Sequence, residues 1–285
     1  MVSAKFSSKA LALSWLAALA GALSVIPVSA AEVATAWQDG HRSKARLIFG
    51  RTASGAPMAG LELEMHPGWK TYWRNPGDAG GVPPYFDWSK SRNLRRAEVL
   101  FPTPHRYKDK VGTTIGYKER LILPVKLIAK DPSKPIGVAL IAEFGVCKDI
   151  CIPARATLAL EVTPATLPPL PAELKTALSS VPLPTAGPGG RLPYPRSLSL
   201  ELGRAPKLVI EIDYPAGVQG ADLFVEVAGE LYLPPAVRVG APRNGTVRYH
   251  IDVSDGVDLK ALKGRELRLT MVSAAGAAEG RATIR

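Results

Sequence analysis

The sequence predicts an all-β protein made of two β-sandwiches with a proline-rich bridge between them. Short segments of β-type alternation or unbroken apolar character recur along the chain. Turn residues separate them, and the 285 residues include 26 Gly and 26 Pro without any G-X-Y repeat. Prolines also crowd into one stretch, at 164, 168, 169, 171, 182, 184, 188, 193 and 195. Many short strands divided by Gly and Pro turns are the pattern of a sandwich. A proline cluster removes the amide donors that a central strand needs.

The elements follow in order. Residues 44–49 and 61–65 open the first region. In Leu61-Glu62-Leu63-Glu64-Met65 the alternation is strict, which predicts one buried and one wet face. Segments 85–88, 97–101, 121–128, 138–144 and 157–162 complete about seven strands. Pro76-Gly77, Gly80-Gly81, Pro83-Pro84, Pro102, Pro104 and Pro132 punctuate them. The domain boundaries expected from this pattern are 31–165 for the first sandwich, 166–195 for a semi-rigid linker and 196–285 for the second sandwich. One short helix fits at 172–180, with Pro171 at its first turn. In the last region 208–212, 223–227, 247–253 and 267–272 are the strands, and 258–262 is one helical turn. This region holds no cysteine and a single histidine, His250, which reads as a structural residue.

Residues 1–30 read as a cleaved export signal. Lys5 and Lys9 give a basic start, an apolar run of about 17 residues follows, and Ser29 and Ala30 after Pro27 resemble a peptidase site, with the cut after Ala30. The run falls short of the roughly 20 residues that span a bilayer, and no later stretch is long and apolar enough to cross one. The expected location is therefore periplasmic, where disulfides persist. The formal net charge is +11, but Lys and Arg are scattered, with short clusters at 92–96 and 105–110. Without a basic stripe interleaved with aromatics, nucleic-acid binding is excluded and a solvated basic surface is expected. Two cysteines and four histidines are too few for a cysteine-rich zinc module or a disulfide-dense miniprotein.

The only two cysteines, Cys147 and Cys151, lie four positions apart. An extended strand would separate their Cα atoms by roughly 13 Å, so pairing requires a turn, and Lys148-Asp149 between two apolar segments supplies one. Three readings stand side by side. A structural staple across a ring this small contributes roughly 2 kcal/mol, against over 3 kcal/mol for a bridge across tens of residues. Metal binding would need His41, His66 or His105, which are distant in sequence. Reversible dithiol–disulfide exchange needs one attacking thiolate and a nearby resolving thiol, and two close cysteines meet that minimum. Lys148 favours a thiolate and Asp149 opposes it. The aromatics Trp69, Tyr72, Trp73, Tyr85, Phe86 and Trp88 are expected in the core.

Four motifs carry a family resemblance. They are HPGWKTYWRNPG at 66–77, Phe101-Pro102, GYKERLILPV at 116–125, and FGVC at 144–147 with CIP at 151–153. Together they make residues 37–162 resemble the N-terminal periplasmic domain of DsbD, the thiol:disulfide interchange protein, and the equivalent part of ScsB-type proteins. The resemblance implies an immunoglobulin-like β-sandwich with the redox pair at one end, and with the strand pattern the expected fold class is all-β, two immunoglobulin-like β-sandwich domains joined by a Pro-rich linker. It implies that Cys147 and Cys151 are the catalytic residues of an electron relay, with Cys151 joined to partners and Cys147 resolving. The implied partners are a membrane-embedded electron carrier and thioredoxin-like periplasmic proteins, with no cofactor. It places Tyr117 near the pair. DsbD spaces its cysteines more widely, so C-x3-C fits the ScsB-like branch. The DsbD cap loop corresponds to 107–112, where Tyr107 stands in place of a shielding Phe. The family's multi-helix membrane domain and thioredoxin-like domain have no counterpart in the sequence, so the expected electron source is a separate protein. The rival expectation is a periplasmic binding or chaperone-like module with a purely structural disulfide.

Overall fold

The computed structural model describes residues 1–3, 33–108, 110, 112–229, 231–254 and 258–284. Apart from its first three residues, the expected export signal lies outside the described residues. From residue 33 onward the described residues fall in one unit.

The first sandwich is built from β1 (Val33–Ala34), β2 (Gln38–Gly40), β3 (Ser43–Arg51), β4 (Pro57–Met65), β5 (Lys70–Tyr72), β6 (Tyr85–Asp87), β7 (Leu94–Val99), β8 (His105–Lys108), β9 (Thr113–Lys118), β10 (Arg120–Ala129), β11 (Ile136–Cys147) and β12 (Cys151–Val162). One sheet runs in the order β1-β3-β4-β10-β7, with β2 also on β3. The facing sheet runs β12-β11-β5-β9-β8. β5 and β6 share one edge of β11: β5 pairs at Val146 and Cys147, and β6 at Ile141 to Glu143. Between the sheets lie the alternate inward residues that the period-two pattern marks, among them Leu47, Leu61, Leu63, Leu123, Val138, Leu140 and Phe144.

The outer face of β4 departs from the alternation. Glu62 is fully buried rather than wet, with its carboxylate accepting from Arg46 Nε (2.8 Å) and Arg120 Nε (2.9 Å). The reason is a cover that periodicity within one strand cannot reveal. After β12, Leu170 and Leu174 pack with Ile48, Met58 and Ile122 on that outer face. Leu174 sits on helix α1 (Ala172–Ser179), which has Pro171 before it and Glu173 in its first turn. Gly60 makes room for it, since a Cβ there would lie 2.9 Å from Leu174 Cδ1.

The second sandwich follows: β13 (Leu183–Pro184), β14 (Tyr194–Glu201), β15 (Lys207–Asp213), β16 (Asp222–Val227), β17 (Val237–Arg243), β18 (Thr246–Asp252), a short helix α2 (Leu259–Leu262), β19 (Glu266–Ser273) and β20 (Gly276–Thr283). Its sheets run β13-β20-β19-β16 and β14-β15-β18-β17. Leu208, Ile210, Ile212, Tyr249, Leu267, Leu269 and Met271 form its core. Tyr214 and Tyr249 share a hydrogen bond of 2.9 Å there, and burial pushes the Tyr214 phenol up. The protein is thus all-β, with two immunoglobulin-like sandwiches. The segment between them is docked at both ends: Leu167, Leu170 and Leu174 are buried, and β13 pairs in parallel with β20. Among the described residues no helix is long and apolar enough to cross a membrane.

Candidate functional site

β11 and β12 form one long hairpin whose register runs from Ile136↔Val162 to Cys147↔Cys151. The cysteines are therefore directly opposed at its tip, with Cα atoms 4.2 Å apart, and they form a disulfide. Three residues make the turn, closed by Lys148 N–H donating to Ile150 O (3.1 Å).

The two sulfurs differ in access. Cys147 is 0% exposed, whereas Cys151 is exposed. The next strand explains the difference. Lys70 on β5 pairs with Cys147, and Tyr72, two residues on, points to the same face of the sheet. Its hydroxyl lies 2.9 Å from Sγ of Cys147 and 2.9 Å from Sγ of Cys151. Disulfide sulfurs carry no proton, so the hydroxyl is the donor to them. Two glycines admit the ring: a Cβ on Gly81 would lie 2.3 Å from it and a Cβ on Gly145 3.0 Å. Thr71 turns the other way and fixes β5 to β11, its hydroxyl donating to Gly145 O at 2.8 Å. The surface around Cys151 is partly apolar, with Ile150 64% and Val82 54% exposed, and Lys148 lies across Gly68.

Of the six aromatics expected in the core, Trp73 is buried there, and Trp69, Phe86 and Trp88 pack against it. Tyr85 is exposed instead, because β6 presents it outward at the edge of β11. Tyr72 is buried against the sulfurs, a role that the core expectation missed. Strand alternation carries the missing signal, since Tyr72 and Trp73 are adjacent and only one of them faces the core. Tyr117 lies in the core row behind the pair, with its hydroxyl donating to Pro102 O at 2.7 Å and burial raising its phenol well above the usual value. Tyr107 sits on β8, separated from β11 by β9 and β5, with Lys118 Nζ 4.5 Å from its ring centre. Asp109 and Val111 of the expected cap loop lie outside the described residues. His41, His66 and His105 do not join the cysteines. Among the described residues no group of three or more His, Cys, Asp or Glu is placed to hold a metal ion. His250 lies on β18 opposite Val209, and burial lowers its pKa.

Comparison with known families matches residues 43–163 to the model described as Thiol:disulfide interchange protein DsbD, N-terminal. The matched segment, under half of the chain, is similar to that family. The matched segment spans the first sandwich from β3 through β12 and includes both cysteines and Tyr72. Among solved structures, the chain is similar to the N-terminal periplasmic domain of ScsB from Proteus mirabilis. The TM-score is 0.64 at 18% identity, covering 89% of this chain and 99% of that one. The likeness is one of fold, and its extent takes in the second sandwich as well. No curated protein matches the chain.

Proposed function

We propose that this chain is a periplasmic thiol:disulfide interchange protein that relays electrons through Cys147 and Cys151, from a membrane reductase to periplasmic disulfide proteins of thioredoxin-like fold. One observation carries the reading: a cysteine pair in register at a hairpin tip, with one sulfur exposed, the other covered, and one hydroxyl 2.9 Å from each. A structural staple would tie distant strands, whereas this bridge closes a turn that the β11–β12 ladder already fixes. The family likeness of residues 43–163 supports the chemistry, and the periplasmic ScsB relative, with the export signal expected at 1–30, supports the location.

In the reduced protein the Cys151 thiolate attacks one sulfur of the partner's disulfide. A mixed disulfide forms and the partner's other sulfur leaves as a thiolate, which takes a proton. Cys147, deprotonated, then attacks Cys151 Sγ. The intramolecular disulfide forms, the partner's second sulfur is released, and two electrons have passed to the partner. A dithiol on the membrane reductase reverses both steps and restores the pair. The Tyr72 hydroxyl donates to whichever sulfur carries negative charge, and a donor to the charged form lowers its pKa.

A redox titration of the full chain, with both thiols followed by mass, tests this. A reduction potential above about −300 mV with rapid exchange against a thioredoxin-like protein is expected. A lower potential with no exchange would mark an inert structural bond.

A further inference from the structure

The second sandwich holds neither cysteine, yet it grips the chain next to Tyr72. Three consecutive residues leaving β5 are tied to three consecutive residues of β16. Trp73, 1% exposed, meets Phe224 edge to face with ring centres 5.7 Å apart. Arg74 Nε donates to both carboxylate oxygens of Glu226, at 2.8 and 2.9 Å, while Nη2 reaches Glu279 and Thr270 Oγ1. Asn75 Nδ2 donates to Val225 O at 3.3 Å. The guanidinium of Arg74 also lies 4.5 Å from the Trp73 ring centre. Burial pulls its pKa down, but Glu226 and Glu279 outweigh that and hold it above the usual value. A second fork reinforces the contact, where Arg106 on β8 donates through two nitrogens to Asp222.

Tyr72, which touches the Cys147 sulfur, and the segment that packs on the Tyr72 ring flank this anchor. Tyr72 comes immediately before it. After it, Pro76 O accepts from Ile115 N–H and Ala79 N–H donates to Thr113 O, which lead the chain back to Gly81 and Val82. Gly81 lies against the Tyr72 ring, and a Cβ on Gly145 would lie 3.6 Å from Val82 Cβ. The strand itself is only three residues long, and its ladder to β11 has two register pairs. β9 adds three register pairs and accepts from Trp73 N–H at Ile115 O, so what the side chains of 73–75 grip sets the chain's exit beyond that ladder.

We propose that the second sandwich is a positioning device for the cysteine pair. Through Trp73, Arg74 and Asn75 it keeps Tyr72 and the 76–84 segment over Cys147, so that Cys151 is the sulfur offered to other proteins. Arg74 is a positioning residue that acts through Tyr72. The inference rests on the relay reading for its biological meaning, but the covering can be measured without any exchange partner.

The test is a brief iodoacetamide pulse on the reduced full chain, with each cysteine quantified by mass. Wild type is expected to label Cys151 about tenfold faster than Cys147, because access limits the reaction. Arg74→Lys keeps the charge but loses the planar fork, and the Glu226→Gln/Glu279→Gln pair keeps the shape but loses the charge. Each is expected to bring the ratio to about threefold or less by raising the Cys147 rate. Arg248→Ala breaks an ion pair with Glu211 inside the second sandwich and is expected to leave the ratio unchanged. Thermal melts of all variants separate loss of cover from loss of fold. If Arg74→Lys does not fold, the double Gln variant and Asn75→Ala decide the matter. A folded clamp variant with the wild-type ratio overturns the proposal, as does a wild type that labels both cysteines equally. A wild type that protects Cys147 yet never exchanges with a thioredoxin-like protein sinks the relay reading alone.

Discussion

At the scale of the residue, the site turns on an asymmetry between two chemically identical side chains. Cys147 is sealed beneath Tyr72 while Cys151 faces solvent, so the proposed relay requires a protein partner to reach Cys151 first. Cys147→Ala should therefore accumulate a mixed disulfide between Cys151 and a thioredoxin-like protein, seen on non-reducing gels, because nothing remains to resolve it. Cys151→Ser alone, which keeps Cys147, should give no complex, and a complex trapped through Cys147 would reverse the assignment. Tyr72→Phe keeps the ring between Gly81 and Gly145 but removes the donor. It should slow attack of the reduced protein on an aromatic disulfide by about tenfold in stopped flow, by raising the thiol pKa. Unfolding free energy should change by only about 1 kcal/mol. An unchanged rate would remove the hydroxyl from the mechanism. The cysteines were legible in the sequence because only two thiols exist and their spacing demands a turn. Tyr72 was not, because composition treats it as one more aromatic. Its partner atoms arrive from β11 and β12, 75 and 79 residues away.

Elements show the same division between local and non-local information. Apolar alternation locates most strands of both sandwiches, but it understates their ends. Residues 157–162 read as a strand, yet β12 begins at Cys151 and passes through Pro153, which an edge position tolerates because no further strand needs its missing amide. The ladder to β11, not β propensity, carries the strand through Ala154-Arg155-Ala156. Glu62 is the clearest failure of periodicity, because its burial depends on neighbours from β3 and β10 and on a helix more than a hundred residues later. That helix earns its place through one side chain. Leu174 is fully buried against Gly60, Ile122 and Ile48, so Leu174→Ala leaves a cavity that sheet and helix fill poorly. The expected loss is about 2–5 kcal/mol in urea unfolding. The Cys147 to Cys151 labelling ratio should stay at the wild-type value, since α1 packs on the sheet opposite the one that carries the pair. A loss under about 0.5 kcal/mol would mean that α1 rests on the sheet without stabilising it.

For the whole molecule, the question is whether two sandwiches behave as two domains or one. Interfaces between domains of one chain are commonly polar and permissive of relative motion. This one joins Trp73 to Phe224 inside the first sandwich's core and surrounds them with the Arg74 and Arg106 forks. None of it could be read from sequence, because Arg74 and Glu226 lie 152 positions apart and neither belongs to a motif in the second sandwich. An ion pair between partly exposed groups is screened and contributes modestly by itself. Phe224, 2% exposed, holds the coupling through packing. The full chain should therefore unfold in a single calorimetric transition with equal calorimetric and van't Hoff enthalpies. Phe224→Ala should cost about 3–5 kcal/mol, and most of that should fall on the coupling, so that one heat-absorption peak becomes two. The two peaks can be assigned by following Tyr72 and Trp73 in the first sandwich against Tyr214 and Tyr249 in the second. Wild type with two peaks, or Phe224→Ala with one, would show that the sandwiches are not coupled through this residue. Two wild-type peaks would remove the second sandwich's mechanical hold on β5 and leave the protection of Cys147 to the first sandwich alone, whereas one Phe224→Ala peak would place the hold on the Arg74 and Arg106 forks.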